Sequence, residues 1–305
     1  MLDKLTPPSS EDVIIKHWKY IDKIYVSCVC ITYNHESFIK DTIDAMLAQK
    51  TEYKFEIIIH DDVSNDKTRE IIESYKEQYP NIIRLVLQEE NQYSKGRRIT
   101  PIAVSFSKGD YIALCEGDDY WTDSLKLQKQ VTFLEENPDY ILSYHDAYII
   151  DSDGHLLKKS KMPDNKKIDL TESQLSRCKG FPLTMSWMYR NINLGDYSEI
   201  NKVKNGDTFL SSILGLHGKG KYHQDILPAA YRMHSGGIWS AIDKNQKIFE
   251  IINTYFWLFK YHSRVKSPYV GYFSLVLGVL CIKASISVNG LSLTIKNAIN
   301  LLLRK

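Results

Sequence analysis

Few cysteines, no long apolar run and an absence of acidic side chains from the last fifty-odd positions set the first limits on this chain. Five cysteines in 305 residues (Cys28, Cys30, Cys115, Cys178, Cys281) are odd in number and nowhere spaced Cys-x-x-Cys. That argues against a disulfide framework or a zinc site and for a reducing compartment. Cys28, Cys30 and Cys115 lie in apolar strand-like runs, where cysteine behaves as a small hydrophobe. The longest apolar run, Tyr272 to Ile282, is too short to span a bilayer. Met1 to Ser10 has no apolar centre resembling a signal peptide. There is no internal repeat and no low-complexity tract. Residues 251–305 contain no Asp or Glu but seven basic residues (Lys260, Arg264, Lys266, Lys283, Lys296, Arg304, Lys305). With +2 on the whole chain and +7 on this stretch, the other 250 residues carry −5. An acidic body with a basic, apolar tail suits an anionic membrane surface. The basic excess avoids the rest of the chain, which argues against a nucleic-acid binder.

What is present has the makings of one large domain. A hydrophobic content of 43% and a charged content of 25% are ordinary for a globular protein. The first half alternates between strand and helix periods. Tyr25 to Ile31, Phe55 to Ile59, Ile82 to Leu87 and Tyr111 to Cys115 read as strands. Between them Phe38, Ile39, Ile43, Met46 and Leu47 share a helical face, as do Ile71, Ile72, Tyr75 and Tyr79, with Asn65 or Asp66 as N-cap and Pro80 as stop. Ile99 to Ser107 and Ser124 to Glu136 predict two further helices. This alternation implies an α/β fold with a mainly parallel sheet and helices on both faces. Ligands then gather at the carboxyl ends of the strands.

Three polar clusters occupy such ends: Thr32-Tyr33-Asn34, Asp61-Asp62 and Glu116-Gly117-Asp118-Asp119. The last is the sharpest. Carboxylates about 4 Å apart repel by roughly 4 kcal/mol at an effective dielectric near 20. A hard divalent cation such as Mg²⁺ or Mn²⁺ relieves that repulsion and keeps coordination positions for substrate phosphates. Beyond Asp151 the pattern is less regular. Lys158 to Lys167 reads as a charged, mobile loop, Phe181 to Arg190 as strand, Asp207 to Leu216 as helix and Tyr222 to Met233 as extended chain. The positions past Lys244 read as helical.

Four segments together resemble the family 2 glycosyltransferases with the nucleotide-diphosphosugar transferase (GT-A) fold. They are Val26 to Asn34, Asp61-Asp62-Val63-Ser64-Asn65-Asp66, Glu116 to Trp121, and Tyr231-Arg232-x-His234-x-Gly236-Gly237-x-Trp239-Ser240. The likeness covers roughly residues 24–240, split into a nucleotide-sugar half (24–120) and an acceptor half (121–240). Residues 1–23 are then an N-terminal extension and 241–305 a basic apolar helical tail. Glu116 to Gln130 looks especially like members that build bacterial surface polysaccharides.

The resemblance implies a role for each matching position. Thr32 and Tyr33 flank the base and ribose, and Asp62 accepts from a base imide, favouring a UDP-sugar donor. An arginine of the Asn91 to Arg98 loop, Arg98 in preference to Arg97, meets the phosphates. Asp118 and Asp119 hold Mn²⁺ or Mg²⁺, with Asp119 the direct ligand. Glu116, where most relatives have Asp, is a longer side chain able to reach the ribose. Trp121 is packing rather than an acceptor platform. Arg232 and His234 lie in a segment that folds over the diphosphate, with His234 on the metal or a phosphate oxygen and Arg232 either there or paired with a structural carboxylate, and the other eight histidines are ordinary surface or core residues. Asp207 is the catalytic base of an inverting transfer to a hydroxyl of a growing, lipid-linked surface glycan. The expected setting is cytoplasmic, peripheral to the inner face of the membrane, with a homodimer through the C-terminal helices left open. A nucleotidyltransferase would want a glycine-rich basic loop where Thr32-Tyr33-Asn34-His35-Glu36 stands, and a non-catalytic binding module would have lost Asp118 and Asp119.

Overall fold

The computed structural model describes residues 2–236 and 243–287. Gly237, Trp239 and Ser240 of the fourth motif, and the amphipathic stretch expected over Leu291 to Leu303, lie outside the described residues. The elements run α1 (Glu11–Ile15), β1 (Val26–Thr32), α2 (Ile39–Leu47), β2 (Phe55–Asp61), α3 (Thr68–Gln78), β3 (Ile83–Leu87), α4 (Ile99–Val104), β4 (Tyr111–Leu114) and α5 (Lys126–Glu136). There follow β5 (Tyr140–Tyr144), β6 (Ala147–Ile150), β7 (Leu156–Lys158), α6 (Glu172–Ser176), β8 (Met188–Arg190), α7 (Gly206–Leu214), β9 (Lys219–Tyr222), β10 (Ala229–Arg232), α8 (Lys244–Arg264) and α9 (Val270–Ser287).

Seven strands form the main sheet in the order β3-β2-β1-β4-β8-β5-β9, and β10-β6-β7 form a small second sheet. β1 is parallel to β2 and β4, and β2 to β3. The apolar runs of β1 and β2 are almost wholly buried, as expected for strands enclosed in a parallel sheet. The sheet departs from the sequence reading at β8, an antiparallel strand wedged between β4 and β5. The run Phe181 to Arg190 supplies only its last three residues to that strand, because a 3₁₀ turn at Thr184–Ser186 precedes it. Tyr140 to Ile150, apolar throughout most of its length, forms two strands in two sheets, parted at His145-Asp146. Both residues there are buried, and Asp146 Oδ1 accepts from the Ala147 and Met162 amides at 2.7 and 2.9 Å.

The two sheets are joined where Tyr120 and Ala230 exchange backbone hydrogen bonds (3.2 and 2.8 Å). The segment 158–167 is not a free loop. Lys161 N–H donates to Ala147 O at 2.7 Å, Ser160 donates to Asp146 Oδ2 at 2.6 Å, Met162 is buried and Lys167 pairs with Asp146 at 3.2 Å. These anchors are 14 to 21 residues away in sequence, out of range of local pattern reading.

The N-terminal segment and the described C-terminal helices share the main core. Ile14 is buried in it, and Trp18 packs edge-on against Phe55 at 5.5 Å. Leu258, Tyr261 and Phe273 of α8 and α9 belong to the same cluster. His262, buried, lies 3.0 Å from Ser212 of α7. The described part of the helical tail, α8 and α9, is thus packed onto the domain. On the far side of α9 Leu275, Val279 and Ile282 are exposed. No helix among the described residues is long and apolar enough to cross a membrane.

Candidate functional site

Sheet register carries the three polar clusters to one edge. Thr32 lies opposite Asp61 and Val29 opposite Leu114. The chain beyond β4 stays laced to β1: Cys115 N–H donates to Val29 O (3.1 Å) and Gly117 N–H to Ile31 O (2.9 Å). The turns after β1 and β2 are laced to each other. Asn34, in the left-handed region with φ 55°, accepts from Asn65 N–H at 2.7 Å and donates its own N–H to Ser64 Oγ at 2.9 Å. His35 N–H donates to Thr68 Oγ1 at 2.8 Å. The N-cap position of α3 is Lys67 rather than Asn65 or Asp66, but Asp66 Oδ1, one residue earlier, accepts from Thr68 N–H at 3.0 Å.

At the centre is Asp118. Its Oδ2 accepts from His234 Nε2 at 2.9 Å and lies 4.0 Å from His35 Nε2. Ligand atoms of His35, Asp118 and His234 all fall within 4.8 Å of one another. His35 was expected to be ordinary. The signal that could have found it is its position three residues past Thr32, at a strand end already marked as polar. Gly117 is required between them. A Cβ there would meet His35 Nδ1 and Thr32 Oγ1 at 2.9 Å and Ile39 Cδ1 at 3.0 Å. The first two are buried polar atoms with no protein partner. Gly117→Ala is expected to cost about 1–3 kcal/mol by overpacking, read from urea unfolding. Parent-like stability would mean that this pocket is roomier than drawn.

Three carboxylates side by side distort one another's titration. Burial first, then Asp118 and Asp207, push the Glu116 pKa up to about 8. Burial, Asp118 and Glu116 push Asp119 well above the usual range. Burial acts in the same direction on Asp118, but the hydrogen bond from His234 and the electrostatics of the two neighbouring imidazoles outweigh it and leave the pKa low. Burial keeps the His35 pKa below its ordinary value, with Asp118 pulling the other way, so its ring is neutral and able to ligate. A cation beside such a group favours the ionised carboxylates. Mixed carboxylate and imidazole donors, with unpartnered polar atoms beside them, fit a divalent ion, and they suit Mn²⁺ better than Mg²⁺.

Not every expected residue keeps its expected place. Asp119 is 2% exposed, and its Oδ1 already accepts from Arg232 N–H at 2.8 Å, so it is Asp118 that the fold gathers with the imidazoles. Of the two readings of Arg232, over a diphosphate or paired with a structural carboxylate, the structure shows the second, and the side chain is a buried strut. It donates to Asp41 Oδ2 (2.7 Å), Asp118 O (3.0 Å) and Ser152 O (2.9 Å) and lies on the Phe38 ring at 4.7 Å. With its donors committed and its side chain 2% exposed, it has no face for a phosphate.

Asp62 is 2% exposed and accepts from Gln92 N–H (2.7 Å) and Tyr93 N–H (3.0 Å). It anchors the loop that carries Arg98, and each oxygen retains a lone pair. Tyr33 is exposed, Thr32 buried. Trp121 is 1% exposed and donates to Met185 O at 2.7 Å, as packing requires.

Across the cleft, Asp207 stands in the first turn of α7, where Oδ1 accepts from Thr208 N–H at 2.7 Å. It is exposed, yet the protein walls around it raise its pKa, opposed by the Thr208 amide and Arg98. Solvent at the exposed side chain screens that rise. Arg98 Cδ would lie 3.8 Å from a Cβ at Gly206, so Arg98, not the exposed Arg97, borders Asp207. Asp207 also acts on Glu116 and Tyr231, so base candidate and acidic cluster share one cleft. Lys161, unremarked in the sequence, lies there too, 3.4 Å over the Tyr231 ring.

The Glycosyl transferase family 2 model matches residues 27–193 of this chain. An uncharacterized protein of Mycobacterium tuberculosis is 36% identical over 229 residues, which are 74% of this chain and 64% of that protein. The chain therefore spans a little under two thirds of that relative. The UDP-Glc:alpha-D-GlcNAc-diphosphoundecaprenol beta-1,3-glucosyltransferase WfaP of Escherichia coli is 34% identical over 125 residues, 41% of this chain and 46% of that one. The crystal structure of TarS from S. aureus in complex with UDP-GlcNAc superposes with a TM-score of 0.60 at 17% identity, covering 88% of this chain and 75% of that one. That likeness shows the fold, which is GT-A.

Proposed function

The chain belongs to glycosyl transferase family 2, and from that premise we propose that it moves a glycosyl group from a nucleoside diphosphate sugar, UDP-linked, to a hydroxyl of a growing surface glycan, with inversion at the anomeric carbon. The observation that carries this reading is the shared cleft: the acidic cluster after β4 faces Asp207 at the start of α7.

Asp207 takes the proton of the acceptor hydroxyl as its oxygen bonds to the anomeric carbon. The bond from that carbon to the β-phosphate oxygen breaks, and the diphosphate leaves with the electron pair. General-base help of this kind is worth about 10²–10⁴-fold. Asp118, His234 and His35 would hold Mn²⁺, with Glu116 and the second oxygen of Asp119 beside them. When bound, a divalent ion supplies Lewis-acid neutralisation of the charge growing on the diphosphate. Arg98 adds a positive charge on the Asp207 side. Thr32 and Tyr33 border the nucleoside, and Asp62 fixes the loop over it.

Support for a UDP donor comes from the UDP-Glc used by WfaP and the UDP-GlcNAc bound to TarS. Support for a lipid-linked acceptor comes from the diphosphoundecaprenol in the name of WfaP. Leu275, Val279 and Ile282, spaced i, i+4, i+7 on the exposed side of α9 with Lys283 next to them, suit a helix lying against an anionic lipid surface.

The test is calorimetric titration of the full chain with UDP, GDP and dTDP, each with and without Mn²⁺. UDP is expected to bind only with Mn²⁺, and Asp118→Asn to abolish that binding. Asp118 is the better target, since Asp119 also holds the Arg232 amide. Binding of UDP that ignores both Mn²⁺ and the substitution would sink the metal-dependent reading.

A further inference from the structure

Two buried polar atoms behind the acidic turn have no protein partner, Thr32 Oγ1 and His35 Nδ1. Both lie 2.9 Å from the point that a Cβ on Gly117 would occupy, so they converge on one small space. Each of the three residues is anchored through its backbone. Thr32 ends β1, is 3% exposed, and its carbonyl accepts from Asp62 N–H at 3.1 Å. Gly117 is pinned to the same strand by its bond to Ile31 O. His35 donates its N–H to Thr68 Oγ1, and its carbonyl accepts from Phe38 and Ile39 N–H at 2.9 and 2.8 Å. The other ring nitrogen, Nε2, stands 4.0 Å from Asp118 Oδ2. Two donors of one ion, each about 2.1 Å from it, are about 3–4 Å apart. A ligating imidazole almost always donates its second ring N–H to an oxygen, which fixes the tautomer and the ring plane. The oxygen that shares this space with His35 Nδ1 is the Thr32 hydroxyl, and a single water with two such partners can bridge them.

We propose that Thr32 is a positioning residue for the metal site: its hydroxyl accepts, through one water, from His35 Nδ1–H and so keeps the lone pair of His35 Nε2 toward Asp118. The inference rests on the metal-dependent reading above and deepens it. The strand end that borders the nucleoside thereby also supports the ion, since the Thr32 hydroxyl is turned inward to the imidazole. Gly117 is required for the same reason, because a methyl group there would fill the space in which the two atoms meet.

The test is Mn²⁺ titration of the full chain, without and with saturating UDP, by calorimetry or by electron paramagnetic resonance of free Mn²⁺. Thr32→Val keeps the shape and removes the hydroxyl. It is expected to weaken Mn²⁺ about 10–100-fold, the usual loss when the partner of a ligating histidine is removed. Thr32→Ala should show the same loss, and Thr32→Ser should bind Mn²⁺ as the parent does. In a His35→Phe background Thr32→Val is expected to change Mn²⁺ affinity by no more than about twofold, because the hydroxyl then has no imidazole to steer. A hydroxyl that touched only the nucleoside would change UDP affinity at saturating Mn²⁺ and leave Mn²⁺ affinity untouched, and that result overturns the proposal. An equal loss with and without His35 overturns it too. Failure of the parent to bind Mn²⁺, alone or with UDP, overturns the metal reading of the whole site and this inference along with it.

Discussion

Replacing Asp207 by asparagine should lower turnover by about 10²–10⁴-fold while Mn²⁺-dependent UDP binding stays at the parent level. The substitution is clean because asparagine keeps a side-chain oxygen to accept the Thr208 amide, which Asp207 Oδ1 does at 2.7 Å. The start of α7 therefore has no reason to move, and only the capacity to take a proton is lost. The raised pKa of the base fixes the sign of the pH profile. Activity requires the ionised carboxylate, so it should fall as pH drops through a value above that of an ordinary aspartate, by a margin that solvent at the exposed side chain keeps small. Initial rates across pH 4–8 and nucleotide titrations on both proteins make the comparison. Near-normal turnover in Asp207→Asn would move the base elsewhere in the cleft.

The second large effect is on stability. Arg232→Met should lower the free energy of unfolding by about 3–5 kcal/mol, the range for breaking one side of a buried ion pair. The value should fall toward the lower end, because Asp41 keeps a second partner in Lys4 at 2.8 Å. The carbonyls of Asp118 and Ser152 lose a donor at the same time, so the acidic turn should loosen and metal binding weaken. Pairing Arg232→Met with Asp41→Leu removes the stranded carboxylate and should restore part of the loss. Urea unfolding of the two single variants and the double variant gives the coupling energy. A loss below about 1 kcal/mol for Arg232→Met would mean that the guanidinium is not a strut.

These two arginine and aspartate cases mark the boundary of what the sequence makes legible. The strand-helix alternation of the first half, and with it the location of Thr32, Asp62 and Glu116 to Asp119 at strand ends, follows from local periodicity. Such patterns survive folding because burial enforces them. Arg232 was open to either reading, since its partner Asp41 is 191 positions away. Asp62 could be read as a base contact, because the amides of Gln92 and Tyr93 that it holds carry no side-chain signature. Lys161 looked like one of many loop lysines, and only tertiary anchoring by Asp146 directs it inward. The strand read over Phe181 to Arg190 is too long, and its antiparallel pairing unforeseen, because the three residues of β8 have no measurable period. His35 alone was within reach of pattern reading.

The bond from Arg232 N–H to Asp119 joins residues 113 positions apart. On a translating ribosome, at about 5–20 residues per second, roughly 6–20 s separate the emergence of the acidic turn from that of the strand that locks it. Until β10 arrives, Asp118 lacks His234, Asp119 lacks its amide donor and the Tyr231 ring is missing from beneath Lys161. A nascent or truncated chain can therefore possess the complete nucleotide-facing strands and still be inert. The cleft is thus completed only by a strand made more than a hundred residues after the acidic turn it closes.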